Sequence, residues 1–568
     1  MRKTSGLDGR PTANIGFLLA CLVAIFSIDA QANVYNETRP IVEVSNGKLQ
    51  GVEEHGMLAF KNIPYAAPPV GELRWRPPQP AQNWQGVRDA SRFGQACLQP
   101  MVEGLNPELI PGSEDCLKLN VYTPKSGKNL PIKNLPVMVW IHGGALLTGS
   151  ATEPYYEPIG LIGQNVVVVT IDYRLGKLGF FAPKALAEEA AKNDEPVGNY
   201  GIMDQIAALK WIRDNIASLG GDPNNVTIFG ESAGGRSVTW LMTSPAVAGL
   251  FHRAIAESAQ QTPLRGQTEE RYSLVPAREL DERYIASLGV QDLQELRALP
   301  AGKFVMTPKQ FEDGEFGGAF IDGKVLIGDP IPLFAQGRQH KVPFMIGTNS
   351  WDASFFVPSQ PALASYLKKM GQDPQVIEKL YAGFKNKCAL PAEVMADAWY
   401  RGSVKILADS AGKAAPSYAY YFDYLAPRIR ASHPGSPHTF EIVYVFGSLG
   451  FVLPSPLRPE SGGNQCSLIE KAAEDLKESA IWSTYWFPMA DKNNSGDRSI
   501  SQQLSSSWAS FAKTGNPNVG GQPTWPQYDL KTDVMREFSD GKNGLVNGLS
   551  KDRVDYQIKT LKSLYRID

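Results

Sequence analysis

Histidine is scarce in this chain, with six among 568 residues. Chemistry that needs an imidazole base has only His55, His142, His252, His340, His433 and His438 to draw on. Net charge is scarce too. Fifty-six basic side chains against 58 acidic ones leave −2, without the basic surplus that a nucleic-acid partner requires. Long apolar runs are missing beyond the N-terminus, so no integral membrane segment is expected in the rest of the chain. Internal repeats, low-complexity tracts and dividing linkers are also missing. With 43% hydrophobic and 20% charged residues, the composition is that of an ordinary globular protein, and residues 33–568 are expected to form a single domain.

The N-terminus reads as a targeting segment. Arg2, Lys3 and Arg10 precede an uncharged apolar run from Ile15 to Ile28, and Ala30-Gln31-Ala32 has the small-residue form of a cleavage site. Residues 1–32 are expected to be a signal peptide, which places the protein in the periplasm or outside the cell. Leu18-Leu19-Ala20-Cys21 has the form of a lipoprotein box, but apolar sequence continues past Cys21, so cleavage after Ala32 is favoured over lipid anchoring. Cysteine is sparse as well. Once Cys21 is removed, Cys97, Cys116, Cys388 and Cys466 remain, an even number suited to an oxidising compartment. Four cysteines allow three pairings; a bridge between the neighbours Cys97 and Cys116 would close a loop of about 20 residues, worth roughly 3 kcal/mol.

What is present is an alternation of strands and helices. Ile41–Val44 and Gly47–Gln50 read as short strands around a turn. Pro64–Pro80 reads as a proline-rich surface path. Val137–Ile141 and Val166–Ile171 are continuously apolar, as strands covered on both faces are. Ile202, Ile206, Leu209, Ile212, Ile216 and Leu219 recur at helical spacing, with Gln205, Lys210, Arg213 and Asp214 off that stripe, and Gly220-Gly221 ends the helix. Strand candidates follow at Asn225–Phe229, Arg253–Ala256 and Pro343–Ile346. The order predicts an open α/β sheet whose ligands sit beyond the carboxyl ends of its strands.

Gly230-Glu231-Ser232-Ala233-Gly234 stands between one of these strands and a helix predicted over Ala233–Met242. A strand, G-x-S-x-G and a helix make a nucleophile elbow, in which a tight turn presents a serine hydroxyl at the end of a sheet. A serine hydroxyl needs a base within hydrogen-bond reach, the base needs an orienting carboxylate, and acyl transfer needs donors for the oxyanion. The donors are expected from the small-residue turn His142-Gly143-Gly144-Ala145, together with the N–H of Ala233. Asp352, after the strand ending at Ile346, lies between serine and the late histidines in chain order. His433 and His438 share one loop, and the choice of His438 rests on the resemblance described next.

These segments resemble the type-B carboxylesterase/lipase family, the carboxylesterase and cholinesterase group of α/β hydrolases. The resemblance is carried by Phe60–Trp75, Glu114–Tyr122, Trp140–Ala145, Asp172–Gly176, Gly198–Gly235, Gly347–Asn349, His438–Gly447 and Phe511–Asn518, nearly the whole length of the mature chain. It implies a central, mostly parallel sheet flanked by helices, with large insertions over the active site. It further implies Ser232 as nucleophile, His438 as base, Gly144, Ala145 and Ala233 as oxyanion donors, a Cys97–Cys116 disulfide, and a structural role for the buried Glu231. Three positions depart from the family's pattern. The acid is Asp352 rather than glutamate, Ala145 replaces a glycine, and Ala259 stands where glycine is frequent and narrows the pocket wall.

The resulting expectation is a carboxylic ester hydrolase that works through an acyl-enzyme on small to medium apolar esters and needs no metal or cofactor. The alternatives are a triacylglycerol lipase, an amide or carbamate hydrolase, and a non-enzymatic adhesion protein of the same fold, which the complete triad argues against. Activity is expected to rise as His438 loses its proton near roughly pH 6.5. Leu146, Leu147, Trp351, Phe355, Phe356, Trp399 and Phe451 are candidates for an apolar pocket. Arg236, one helical turn after the serine, is expected in a structural ion pair, the alternative being a carboxylate-bearing ester.

Overall fold

The apolar strands send alternate residues into two different cores. From Leu135–Ile141, Val137, Val139 and Ile141 join one buried cluster, whereas Met138 and Trp140 join another. Val167–Ile171 divides in the same way, with Val167, Val169 and Ile171 on one side and Val168 on the other. A strand with a core on each face has no side for water, which is why these segments are uniformly apolar rather than alternating.

In this computed structural model the described residues are 39–100, 112–127, 130–306, 310, 314–355, 360–384, 390–431, 433–455, 485–488, 490–540 and 544–567. Arg39–Asp568 is one compact unit. Residues 1–32, expected to be a signal peptide and including Cys21, and also Phe356, Cys388 and Cys466, lie outside the described residues.

The principal sheet has 11 strands. In chain order they are β1 (Val52–Glu54), β2 (Met57–Pro64), β3 (Lys118–Pro124), β4 (Leu135–Ile141), β5 (Val167–Ile171) and β6 (Gly221–Glu231). There follow β7 (Arg253–Glu257), β8 (Phe344–Asn349), β9 (Ser417–Phe422), β10 (Val534–Phe538) and β11 (Leu545–Asn547). Their spatial order is 1-2-3-5-4-6-7-8-9-10-11. From β5 to β10 every neighbouring pair is parallel, and antiparallel pairs close both ends. This is the α/β-hydrolase fold.

Helices cover both faces. On one side lie α1 (Tyr200–Asn215), α2 (Ala233–Thr243) and α3 (Ser403–Gly412), whose Ile202, Leu209, Val238, Leu241, Val404 and Leu407 share a cluster with Val139 and Ile228. On the other, α4 (Ser495–Thr514) packs Leu504, Trp508 and Phe511 with Trp140, Phe229 and Tyr420. The short strands Ile41–Val44 and Gly47–Gln50 pair as expected and are joined by Val87–Asp89 in a separate small sheet.

Several details differ from the sequence reading. The helix that starts at Tyr200 changes to a tighter turn over Ile216–Leu219 before Gly220, which has φ +97°. Gln205, placed off the apolar stripe, is fully buried and donates to the Ser237 hydroxyl at 3.1 Å. The helix is sandwiched on more than one side, so its stripe underestimates its buried face. The Pro64–Pro80 stretch is not a pure surface path. Arg74 and Trp75 turn inward, the guanidinium onto Glu114 at 2.6 Å and the indole N–H onto the carbonyl of Lys177 at 2.9 Å. Cys97 and Cys116 are disulfide-bonded, with Cα atoms 4.9 Å apart. Among the described residues no helix is long and apolar enough to cross a membrane.

Candidate active site

The elbow between β6 and α2 is shaped by contacts that leave no room for side chains. A Cβ added to Gly234 would stand 1.9 Å from the carbonyl oxygen of Ile141, and one at Gly230 would stand 2.5 Å from the same oxygen. Both glycines are therefore required by the close approach of the helix start to β4. Between them Ser232 adopts φ 56°, ψ −121°, a conformation that L-residues avoid. Its own N–H donates to the carbonyl of Glu257 at 3.0 Å, and its carbonyl accepts from the N–H of Arg236 at 2.8 Å. The turn is thus held from both neighbouring elements, with Ser232 partly exposed at its apex.

Asp352 opens a short turn just after β8. Its carboxylate is fully buried and divided between two tasks. Oδ2 accepts from the Thr348 hydroxyl at 2.5 Å and from the Asn349 N–H at 2.9 Å, while Oδ1 lies 2.5 Å from Nδ1 of His438. The two loops are stitched along their length. The Trp351 N–H donates to Ser436, the Ser436 N–H to the Ser350 hydroxyl, and the His438 N–H to the Ser354 hydroxyl at 3.0 Å. Asn349 adds bonds from its amide to the carbonyl of Pro437 and to the carboxylate of Glu441. An aspartate, one methylene shorter than glutamate, reaches the imidazole because this stitching draws the loops together.

The other imidazole nitrogen faces the elbow. Nε2 of His438 lies 3.1 Å from Oε1 of Glu231, the residue before Ser232. A Cβ placed on Gly143 would meet the Glu231 carboxylate at 3.0 Å and Cβ of Ser232 at 3.1 Å, so the small-residue loop, the glutamate and the serine crowd one spot. Glu231, expected in a structural role, thus stands directly against the imidazole. The resemblance places this glutamate beside the nucleophile, but nothing in the linear sequence marks its contact with a histidine about 200 residues later.

The electrostatics follow from three buried acids around one imidazole, with a fourth, Glu257, that feels the charge of Glu441 and Glu231. Burial alone would pull His438 down, but the carboxylates of Glu231, Asp352 and Glu441 outweigh it and raise the imidazole to about 9. Burial pushes Glu231 well above the ordinary range, with Glu441 and Asp352 adding to the push. It pushes Glu441 up to about 7, with Asp352 contributing. Glu257, which accepts from the indole N–H of Trp508 at 2.8 Å, is raised by burial as well. The influence between His438 and Glu231 is Coulombic: the carboxylate favours the imidazolium, and the imidazolium favours the carboxylate.

The other histidines are occupied elsewhere. His142 is buried and stacked on Tyr173, ring centres 4.4 Å apart, and burial lowers it to about 4. His433 is buried against Trp351 and lowered by burial to about 4. His55 pairs with Glu157, Nδ1 of His252 accepts from the N–H of Val226, and Nε2 of His340 meets the carbonyl of Ser244.

The glycine-rich turn after β4 carries the strain expected of a loop that offers backbone donors. Gly144, Ala145 and Leu146 have φ of +94°, +56° and +63°. Alanine at 145 thus holds a left-handed conformation that glycine adopts at less cost. Among the described residues, no protein acceptor receives the N–H of Gly144, Ala145 or Ala233. The last of these lies at the positive end of α2. Ala145, Ser232 and Ala233 border one cavity of about 350 Å³. A serine, a histidine held by a carboxylate and free backbone donors beside a cavity form a set that can perform acyl transfer.

Of the predicted apolar lining, Leu146 and Trp399 border this cavity, joined by Trp240, Tyr272, Phe316 and Tyr366, which the sequence did not single out. Leu147, Trp351 and Phe451 do not border it. Leu147 is buried in the core, and Trp351 is buried beside His433. Phe356 lies outside the described residues, and the side chain of Phe355 is not described. Ala259 does not narrow the cavity wall; it packs behind the elbow, where a Cβ on Gly235 would meet its own at 3.0 Å. The ion pair expected for Arg236 is not found among the described residues; the guanidinium lies over Trp240, 4.9 Å from the ring centre.

Comparison with known proteins agrees with this geometry. The carboxylesterase family profile matches residues 38–454 and 471–557. A para-nitrobenzyl esterase of Bacillus subtilis is 33% identical over 87% of this chain and 94% of its own. A fumonisin B1 esterase of Sphingopyxis macrogoltabida is 32% identical over 91% and 90%. Among solved structures, a PNB esterase superimposes with a TM-score of 0.74 at 29% identity, covering 92% of this chain and 99% of its own. A Geobacillus stearothermophilus carboxylesterase gives 0.71 at 30% identity, covering 91% and 100%. The chain belongs to the carboxylesterase family and is a carboxylic ester hydrolase with the α/β-hydrolase fold.

Proposed function

We propose that hydrolysis proceeds in two steps through Ser232, His438 and Asp352. His438 takes the proton of the Ser232 hydroxyl as its oxygen attacks the ester carbonyl. The N–H groups of Gly144, Ala145 and Ala233 hold the oxyanion. The carbonyl–oxygen bond to the alcohol then breaks, and the alcohol leaves with the proton from His438. Water, deprotonated by the same imidazole, attacks the acyl-serine and releases the acid, restoring the serine. Asp352 fixes the tautomer by accepting from Nδ1 and stabilises the imidazolium that forms.

The observation that carries this reading is the 2.5 Å contact of Asp352 Oδ1 with His438 Nδ1. The strained backbone of Ser232 and the unengaged donors beside it are further support. The cavity, about 350 Å³, suits a small to medium ester and lies at the small end for ligand pockets. Replacing Ser232 with alanine removes nearly all turnover of 4-nitrophenyl butyrate by this mechanism; a folded S232A protein that keeps wild-type turnover contradicts it.

Export is part of the same proposal. The basic start, the apolar run and the Ala30-Gln31-Ala32 site support removal of residues 1–32. The disulfide fits an oxidising compartment. N-terminal sequencing of the processed protein is expected to begin at Asn33; a mature start at a lipid-modified Cys21 contradicts cleavage there.

A further inference from the structure

The walls of the cavity beside Ser232 are unequal in charge. Three cations border it, Arg236, Arg265 and Lys369, and among the described lining residues there is no carboxylate. Arg236 is the most telling of the three. It lies four residues after Ser232, in the first turn of α2, and both residues border the cavity. Its Nε is sealed from solvent without a hydrogen-bond partner. Among the described residues no protein acceptor receives a bond from its guanidinium, whose recorded contact is the face of Trp240.

Buried and half-buried charges in proteins are normally paired, because an unpaired one forfeits hydration without compensation. The nearby acid acts on Arg236 only through space and makes no ion pair with it. Asp329 is buried, but its oxygens are taken by the N–H of Leu264 at 2.6 Å and by Arg271 at 2.9 Å. Arg265 donates to the carbonyl of Val275 at 2.8 Å, which satisfies one nitrogen but leaves its charge unneutralised. Lys369 stands exposed at the rim. Burial pulls Arg236 down to about 10, which keeps it charged at neutral pH. The guanidinium carbon lies over the ring of Trp240, 4.9 Å from its centre, and a guanidinium at a cavity wall can form a paired hydrogen bond with a carboxylate.

We propose that this enzyme prefers esters that carry a carboxylate, which Arg236 binds inside the cavity beside Ser232, with Arg265 and Lys369 adding to the attraction. The proposal rests on the hydrolytic mechanism above and specifies its substrate class. The bound carboxylate is not altered in the reaction; it positions the ester carbonyl at the serine.

The test compares esters that differ in charge but hardly in shape. Monomethyl adipate and monomethyl terephthalate place the carboxylate on the acyl side, each paired with its methyl carboxamide isostere. Carboxymethyl butyrate, paired with carbamoylmethyl butyrate, places it on the alcohol side. For at least one pair, wild-type kcat/KM for the acid is expected to exceed that for the amide by roughly tenfold or more, a gain carried mainly by KM. In the Arg236→Gln protein that ratio is expected to collapse toward one, and in Arg236→Lys to recover only partly, since lysine restores the charge but not the fork.

A second measurement depends on no variant. Free adipate is expected to inhibit turnover of 4-nitrophenyl butyrate competitively and at least tenfold more strongly than adipamide. Equal turnover within every pair, together with equal inhibition by adipate and adipamide, overturns the carboxylate site while leaving the ester hydrolase intact. A ratio unchanged in Arg236→Gln overturns the assignment to Arg236. Failure of the wild-type protein to hydrolyse either member of any pair or 4-nitrophenyl butyrate overturns the underlying mechanism instead.

Discussion

Asp352 and His438 are 86 residues apart in the chain, yet Oδ1 of one lies 2.5 Å from Nδ1 of the other. The aspartate is oriented by groups other than the histidine, because the Thr348 hydroxyl and the Asn349 N–H hold its second oxygen. Replacing Asp352 with asparagine keeps the shape but presents an amide where a carboxylate was, so the imidazole loses its preferred tautomer. The expected result is a fall in kcat of roughly 10⁴-fold on 4-nitrophenyl butyrate, with near-ultraviolet circular dichroism unchanged. An unimpaired variant would point to another acid.

The pH profile tests the second contact of His438. The imidazole must be neutral to accept the serine proton, and its neighbours raise it from 6.5 to about 9. A raised base requires higher pH to become active, so the acid limb of kcat/KM is expected to lie above 6.5, toward 9, rather than at the ordinary histidine value. Glu231 is the largest of the raising influences. Where Glu231 itself holds the proton, its push weakens, and the midpoint falls between those two values. Glu231→Gln removes that carboxylate and is expected to move the acid limb to lower pH. A limb that stays in place, or moves upward, contradicts the pairing of Glu231 with Nε2.

The elbow makes a stability prediction. The added methyl of Gly234→Ala would fall 1.9 Å from a backbone oxygen of β4, where no flexible side chain can give way. The expected cost is at or above the upper end of overpacking penalties, about 3 kcal/mol or more, read as a lowered midpoint in urea or as loss of soluble protein. Wild-type stability in that variant would show that the helix start can shift away from β4.

Removal of the disulfide gives a smaller effect of known sign. The bridge closes a loop of 19 positions, and chain entropy assigns such a loop roughly 3 kcal/mol. Cys97→Ser with Cys116→Ser is expected to unfold at lower urea by that amount while the remaining folded protein keeps its kcat. No change in the midpoint would mean that the bridge does not constrain the unfolded chain.

Much of this architecture could be read from local pattern. The runs at Val137–Ile141 and Val166–Ile171 announced strands covered on both faces, and the glycines at 230 and 234 announced a turn with no space for side chains. Chain order pointed to Asp352, and a small stock of histidines narrowed the base to a loop holding His433 and His438, between which the family resemblance decided. Long-range contacts were not legible. Nothing near Glu231 tells that His438 comes to lie against it, and nothing near Gln205 tells that Ser237 covers it. The cavity lining was the least readable part. Trp240 and Phe316 come from separate elements, and whether an aromatic faces a cavity or a core is decided by packing; Trp351 was drawn instead to His433. The charge on Arg236 suggested an ion pair by general habit, and only the folded arrangement left it facing a cavity without an acid.

The central claim is that Ser232 is the nucleophile and that His438 activates it. A fluorophosphonate probe tests this most directly, because it reacts covalently only with an activated serine. Labelling followed by peptide mass spectrometry is expected to place one adduct on Ser232 in the wild-type protein and to lose it in Ser232→Ala and, in a folded variant, His438→Ala. A probe that leaves Ser232 unmodified while the enzyme still hydrolyses esters, or that labels it equally without His438, would contradict the account.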